Sequence, residues 1–141
     1  MHLVLATLVG TGLCAMWDVK TGRIPNVFTF SCILAGVAIN TWCSGFDGFW
    51  NAFYGIIVGV LLLIIPFAFG GIGAGDVKML AAIGALNGSK FVFQAFLFGA
   101  VVGGLIALVA TTHKSVYAKR KSTIPYGMAI FLGTLIAYMT V

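Results

Sequence analysis

Residues Gly55 to Lys78 read GIIVGVLLLIIPFAFGGIGAGDVK. The first part is an uncharged aliphatic run with the composition of a membrane helix. Glycines then interrupt it, and a carboxylate, Asp76, follows directly on Gly73-Ala74-Gly75. A charged acid at or near bilayer depth is costly, so it points to a task.

The rest of the chain has the same character. It is 61% hydrophobic and 8% charged, with a mean hydropathy of +1.12, against about 25% charged residues in soluble domains. Six apolar segments are expected, at roughly 2–17, 26–43, 49–69, 76–88, 90–112 and 125–141. The fold class is therefore all-α integral membrane, a polytopic bundle of about six transmembrane helices forming a single domain over residues 1–141. The first segment lacks a basic n-region and a small-residue cleavage site, so it reads as a retained helix. Segment 76–88 would reach only about 20 Å, short of a ~30 Å hydrocarbon core. A re-entrant hairpin is the alternative there, but it would move the basic residues of the fifth break to the other side.

Those basic residues orient the bundle. Lys20 and Arg23 lie in the first break, Lys78 just after the third, and Lys114, Lys119, Arg120 and Lys121 in the fifth. Only Lys90 lies at an even-numbered break. The positive-inside rule puts the odd breaks in the cytoplasm and both termini outside. The net charge of +5 is thus a topology signal, and residues 113–121 read as a lipid-facing loop with no nucleic-acid role. The partner they imply is the lipid bilayer.

The chain has three acids. Asp18, at the end of the first segment, and Asp76 fall on the same side; Asp47, in Ser44-Gly45-Phe46-Asp47-Gly48, falls on the other and reads as a solvated turn residue. Two neighbouring carboxylates share a proton, so one acts as general base on water while the other polarises a carbonyl. That is aspartic-protease chemistry, and it needs no metal or cofactor. A Ser-His arrangement on this side would have only His113, which reads as a solvated loop residue. Either acid taken alone is as well explained as a helix cap or a lysine partner.

Gly73 and Gly75 are expected to supply backbone angles closed to other residues and to let a substrate backbone approach. A helix starting at Asp76 would make it the base, with Asp18, at a helix C-terminus, as its protonated partner. Pro66 is expected to kink its helix. The GxxxG pairs Gly55/Gly59 and Gly99/Gly103 suit close helix packing within the bundle, a homo-oligomer face being the alternative. Phe91, Phe93, Phe96 and Phe98 read as facing lipid or neighbouring helices. Cys14, Cys32 and Cys43 form no CxxC pair and read as packing residues.

Three motifs in order resemble one family. Asp18-Val19-Lys20-Thr21-Gly22-Arg23-Ile24-Pro25-Asn26 is similar to the first-aspartate motif of the type IV prepilin peptidases, Gly73-Ala74-Gly75-Asp76-Val77-Lys78 to their GxGD motif, and Ile124-Pro125-Tyr126-Gly127 to their late I-P-[FY]-G segment. The GxGD element also resembles that of presenilin-type intramembrane proteases. The resemblance implies an aspartic endopeptidase of the bacterial or archaeal cytoplasmic membrane, with Asp18 and Asp76 catalytic. Its substrates would be prepilins or pilin-like precursors, cut between a short basic leader and an apolar helix at the cytoplasmic face. Longer members carry a methyltransferase domain with paired CxxC motifs; this sequence looks like the short, peptidase-only members of Tad/Flp systems, and no methyltransferase activity is expected.

Among the other motif residues, Pro25 and Pro125 suit first-turn positions. Asn26 satisfies loop backbone groups or contacts substrate. Lys78 anchors topology, tunes the dyad or binds substrate carbonyls; Lys20 and Arg23, which would repel a basic leader, read as topological. The readings from other classes are a proton- or ion-coupled transporter, which would want acids nearer mid-bilayer or an inverted repeat, and a non-catalytic assembly protein.

Overall fold

The computed structural model describes residues 2–21, 24–112 and 126–140. Arg23, His113, the basic residues Lys114 to Lys121 and Pro125 lie outside them. The described elements are four helices: α1 (His2–Thr21), α2 (Asn26–Ala68), α3 (Ala74–Thr112) and α4 (Tyr126–Thr140). Three of these are long and apolar enough to cross a membrane, and α4 is a shorter apolar helix. Leu34, Leu61, Ile65, Val101 and Leu105 are all exposed on the outer faces. Such a surface suits lipid rather than water, and the chain is an all-α membrane protein.

At 43 residues, α2 would run about 64 Å if straight, twice a ~30 Å core. It is not straight. Gly45 adopts φ 59°, ψ −136° inside it, and Gly88 adopts φ 84°, ψ 177° inside α3. These left-handed φ values suit glycine, which has no Cβ to clash. Beyond Gly45 the chain reverses: a Cβ on Gly48 would collide with the carbonyl oxygen of Asn40, whereas eight residues of unbroken helix separate groups by about 12 Å. The two breaks fall within the expected interruptions at 44–48 and 88–90, but each bends the chain at a single glycine, without the polar loop expected between segments.

Glycines set the packing of these pieces. Gly55 meets the backbone of Gly84, and Gly59 lies against Leu80, a Cβ there falling 2.7 Å from its carbonyl oxygen. Numbers that rise in one strip and fall in the other mean antiparallel packing of the second part of α2 on the first part of α3. Likewise Gly99 lies on Ala129 and Gly103 on the ring of Tyr126, so α4 runs antiparallel to the second part of α3. Both GxxxG pairs are thus used inside the chain, where small residues let backbones meet. Phe91 and Phe93 divide as expected between a helix neighbour and the outside, Phe91 lying against Tyr138 at a centroid distance of 4.4 Å while Phe93 is exposed.

A helix break in an apolar medium frees carbonyls that water cannot reach. Asn40, buried in α2, donates its side-chain amide to Ala85 O at 2.9 Å and Leu86 O at 3.0 Å, just before Gly88. Asn87 in turn donates to Thr7 Oγ1 at 2.8 Å and accepts from the Tyr138 hydroxyl at 2.5 Å, tying α3 to α1 and α4. The other end of α2 closes on Gly70 at φ 74°, with Gly70 N–H donating to Phe67 O and Gly71 N–H to Pro66 O. This is the Schellman pattern. The only non-helical dihedrals inside α2 are those of Gly45, and the helix runs past Pro66 to Ala68.

Candidate active site

One helix end and two helix starts meet where the acids lie. α1 continues through Thr21, beyond the end expected near residue 17, because its polar last turn stays hydrogen-bonded: Thr21 Oγ1 donates to Trp17 O at 2.8 Å. Asp18 therefore sits on the last turn of α1, half-buried. α3 starts at Ala74, so Asp76 is its third residue rather than its first. Asp76 N–H donates to Gly73 O at 3.1 Å, and Gly73 N–H donates to Asp76 Oδ2 at 3.3 Å, closing the turn on the carboxylate. Asp76 is 6% exposed. Its Oδ1 is buried and meets no hydrogen-bond partner among the described residues.

The fold brings Asp18 close enough to Asp76 to act on it electrostatically. Asp47 is exposed beside Gly45, at the Asn40–Leu86 end of the bundle. The first part of α3 separates that end from Asp76 by ten residues, about 15 Å of helix. A third element completes the site. Gly127, in the first turn of α4, donates its backbone N–H to the Asp18 carboxylate, and a Cβ there would lie 3.0 Å from Asp18 Oδ2. Tyr126, beside it, lies within electrostatic reach of Asp76. The late motif containing both residues is legible in the sequence, but it gives no sign that their partners are the two acids.

Asp18, expected to lie only at a helix C-terminus, also faces the N-terminal turn of α4. Helix dipoles therefore do not separate the two acids into base and protonated partner, since both carboxylates accept an N–H at the start of a helix.

The glycines and flanking residues behave differently from expectation. The described positive-φ residues are Gly45, Gly70 and Gly88, so Gly73 and Gly75 use ordinary backbone angles. Gly75 is small because Ile24 packs on it: a Cβ would lie 3.0 Å from that of Ile24. Gly73 serves through its N–H. Pro25 precedes the first turn of α2 as its N-cap, and its carbonyl accepts from Phe28 and Thr29 N–H. Among the described residues, the side chain of Asn26 meets Lys78. Its Oδ1 accepts from Lys78 Nζ at 2.8 Å, which pins the start of α2 to the start of α3. The Lys78 ammonium also lies 5.6 Å from the centre of the Phe30 ring. No cluster of three or more metal-ligating side chains occurs among the described residues.

The sequence is similar to proteins of one known family. A model of the type IV leader peptidase family matches residues 5–108. The chain is similar to a prepilin leader peptidase/N-methyltransferase of Burkholderia pseudomallei, 38% identical over 119 residues, covering 75% of this chain and 38% of that protein. A protein of the same name from Bacillus subtilis is 31% identical over 130 residues, covering 90% of this chain and 51% of its own length. The leader peptidase HopD of Escherichia coli is 34% identical over 107 residues, 67% of this chain and 68% of that one. The chain thus spans from about two fifths to half the length of the first two. No solved structure matches it significantly. With the family model matching residues 5–108, most of its length, the chain belongs to the type IV leader peptidase family.

Proposed function

We propose that the protein is a membrane-embedded aspartic endopeptidase that removes the short basic leader of type IV prepilins or pilin-like precursors at the cytoplasmic face of the membrane. The observation that carries this is the meeting of Asp18 and Asp76, 58 positions apart in sequence, at one end of the bundle. In the proposed reaction the ionised carboxylate takes a proton from water as the water oxygen attacks the scissile carbonyl carbon. The protonated carboxyl donates to the carbonyl oxygen. Collapse of the tetrahedral adduct breaks the C–N bond, and the leaving amine takes up a proton. Asp76 Oδ1, which accepts no bond from any described residue, is the atom left for water or substrate.

The glycine breaks support a six-span reading with both termini outside. Gly45 and Gly88 each divide a helix that is long for one crossing, and Lys20 and Lys78 then lie with the carboxylates on the cytoplasmic side. Both GxxxG faces are occupied within the chain, so a homo-oligomer would use other surfaces.

The test is coexpression with a pilin-like precursor, following its electrophoretic shift. Asp18→Ala and Asp76→Ala are expected to abolish processing, and Asp47→Ala to preserve it. Processing that persists in either of the first two variants overturns the dyad.

A further inference from the structure

Between the last turns of α1 and the first turns of α2 lies a cavity of about 330 Å³, lined by Leu13, Cys14, Trp17, Pro25, Val27, Phe28 and Ser31. That is about twice the ~150 Å³ apolar cavity that accommodates a benzene ring, so it has room for more than one large side chain. Its lining is apolar apart from Ser31, whose hydroxyl is engaged with Val27 O at 2.8 Å. Val27 is 80% exposed and Trp17 54%, so the mouth opens to the side of the bundle.

The position of this groove bears on what could fill it. One end is Trp17, next to Asp18, and Pro25, next to the Ile24 that packs on Gly75. From there it runs back four residues along α1 to Leu13 and six along α2 to Ser31, about 6–9 Å at 1.5 Å per residue. It thus starts beside the immediate sequence neighbour of Asp18 and leads away from it along the apolar turns of α1 and α2. Resting on the peptidase reading above, we propose that this groove is the primed-side subsite, which holds the first apolar side chains after the cleavage point of the precursor. A precursor cut where its polar leader meets an apolar helix presents those features in that order: the scissile bond at the carboxylates, then apolar side chains pointing inward from it. A lipid acyl chain shares the apolar chemistry but has no peptide bond to place at the groove's end.

The test uses full-length protein in membranes, carrying a benzophenone amino acid in place of Val27, with Asp76→Asn to retain uncut precursor. Leu105 serves as the control. It is 59% exposed and lies two residues past Gly103, which packs on Tyr126, so it sits at the same end of the bundle on another face. The groove predicts a precursor adduct from position 27, at least tenfold stronger than from position 105, mapping to the first few residues after the cleavage point. No precursor adduct at 27, equal adducts at both positions, or lipid adducts alone would overturn it. Wild-type protein is run in parallel on the same precursor. Cleavage there without the position-27 adduct sinks the subsite and leaves the peptidase reading standing, whereas a precursor left uncut by wild type brings down both.

Discussion

At the scale of single residues, the site is held by atoms that belong to the backbone. Asp18 is met by the N–H of Gly127 and Asp76 by that of Gly73, so each carboxylate is placed by a turn rather than by a flexible side chain. Gly127→Ala would put a methyl group 3.0 Å from Asp18 Oδ2, tighter than ordinary van der Waals contact, and the carboxylate would have to turn. We expect kcat for precursor cleavage to fall by at least tenfold, with KM and membrane insertion little changed, since displaced catalytic groups lose transition-state rather than ground-state interactions. Unaltered kcat would show that Asp18 does not depend on this contact. The acids themselves were legible in the sequence, from charge and from flanking motifs. Gly127 as their support was not, because the bond joins residues 109 positions apart and no local pattern encodes it.

At the scale of the helices, glycine does two different jobs. At Gly45 and Gly88 it bends the chain, which the sequence shows as polar or glycine-rich interruptions. At Gly55, Gly59 and Gly84 it lets α2 and α3 touch. Helix propensity alone says Gly84→Ala stabilises by about 0.5–1 kcal/mol. The structure reverses the sign, because the new Cβ would collide with the carbonyl oxygen of Gly55. Overpacking of this kind costs about 1–3 kcal/mol, so thermal unfolding of the purified protein in detergent should move to lower temperature. A rise in midpoint would contradict the packing. The end of α1 is not marked by polarity alone. Asp18, Lys20 and Thr21 look like a loop by polarity, yet the threonine bonds back to Trp17 and the helix continues. Asn40 likewise gave no advance sign, since its role appears only once the freed carbonyls before Gly88 lie beside it.

At the scale of the whole molecule, polarity is distributed by ends. The Gly45 end carries an exposed aromatic set, with Phe46, Phe49, Trp50, Phe53 and Tyr54 in contact along one face and Trp42 nearby, as at a membrane–water interface. The opposite end carries Asp18 and Asp76. Cys43 is exposed at the aromatic end, while Cys14 is buried near the site. A membrane-impermeant maleimide added to right-side-out vesicles should therefore label Cys43 and leave Cys14 unlabelled; labelling of Cys43 only in inverted vesicles would reverse the proposed orientation. The two carboxylates are proposed to work as one unit, and kinetics tests this most directly. Cleavage of a pilin-like precursor by the purified protein would be compared for wild type, Asp18→Asn, Asp76→Asn and the double variant. Groups acting together are strongly non-additive, so each single variant should fall to the same residual rate, with the double no lower. Substantial activity in either single variant, or losses that multiply in the double, would contradict a shared site.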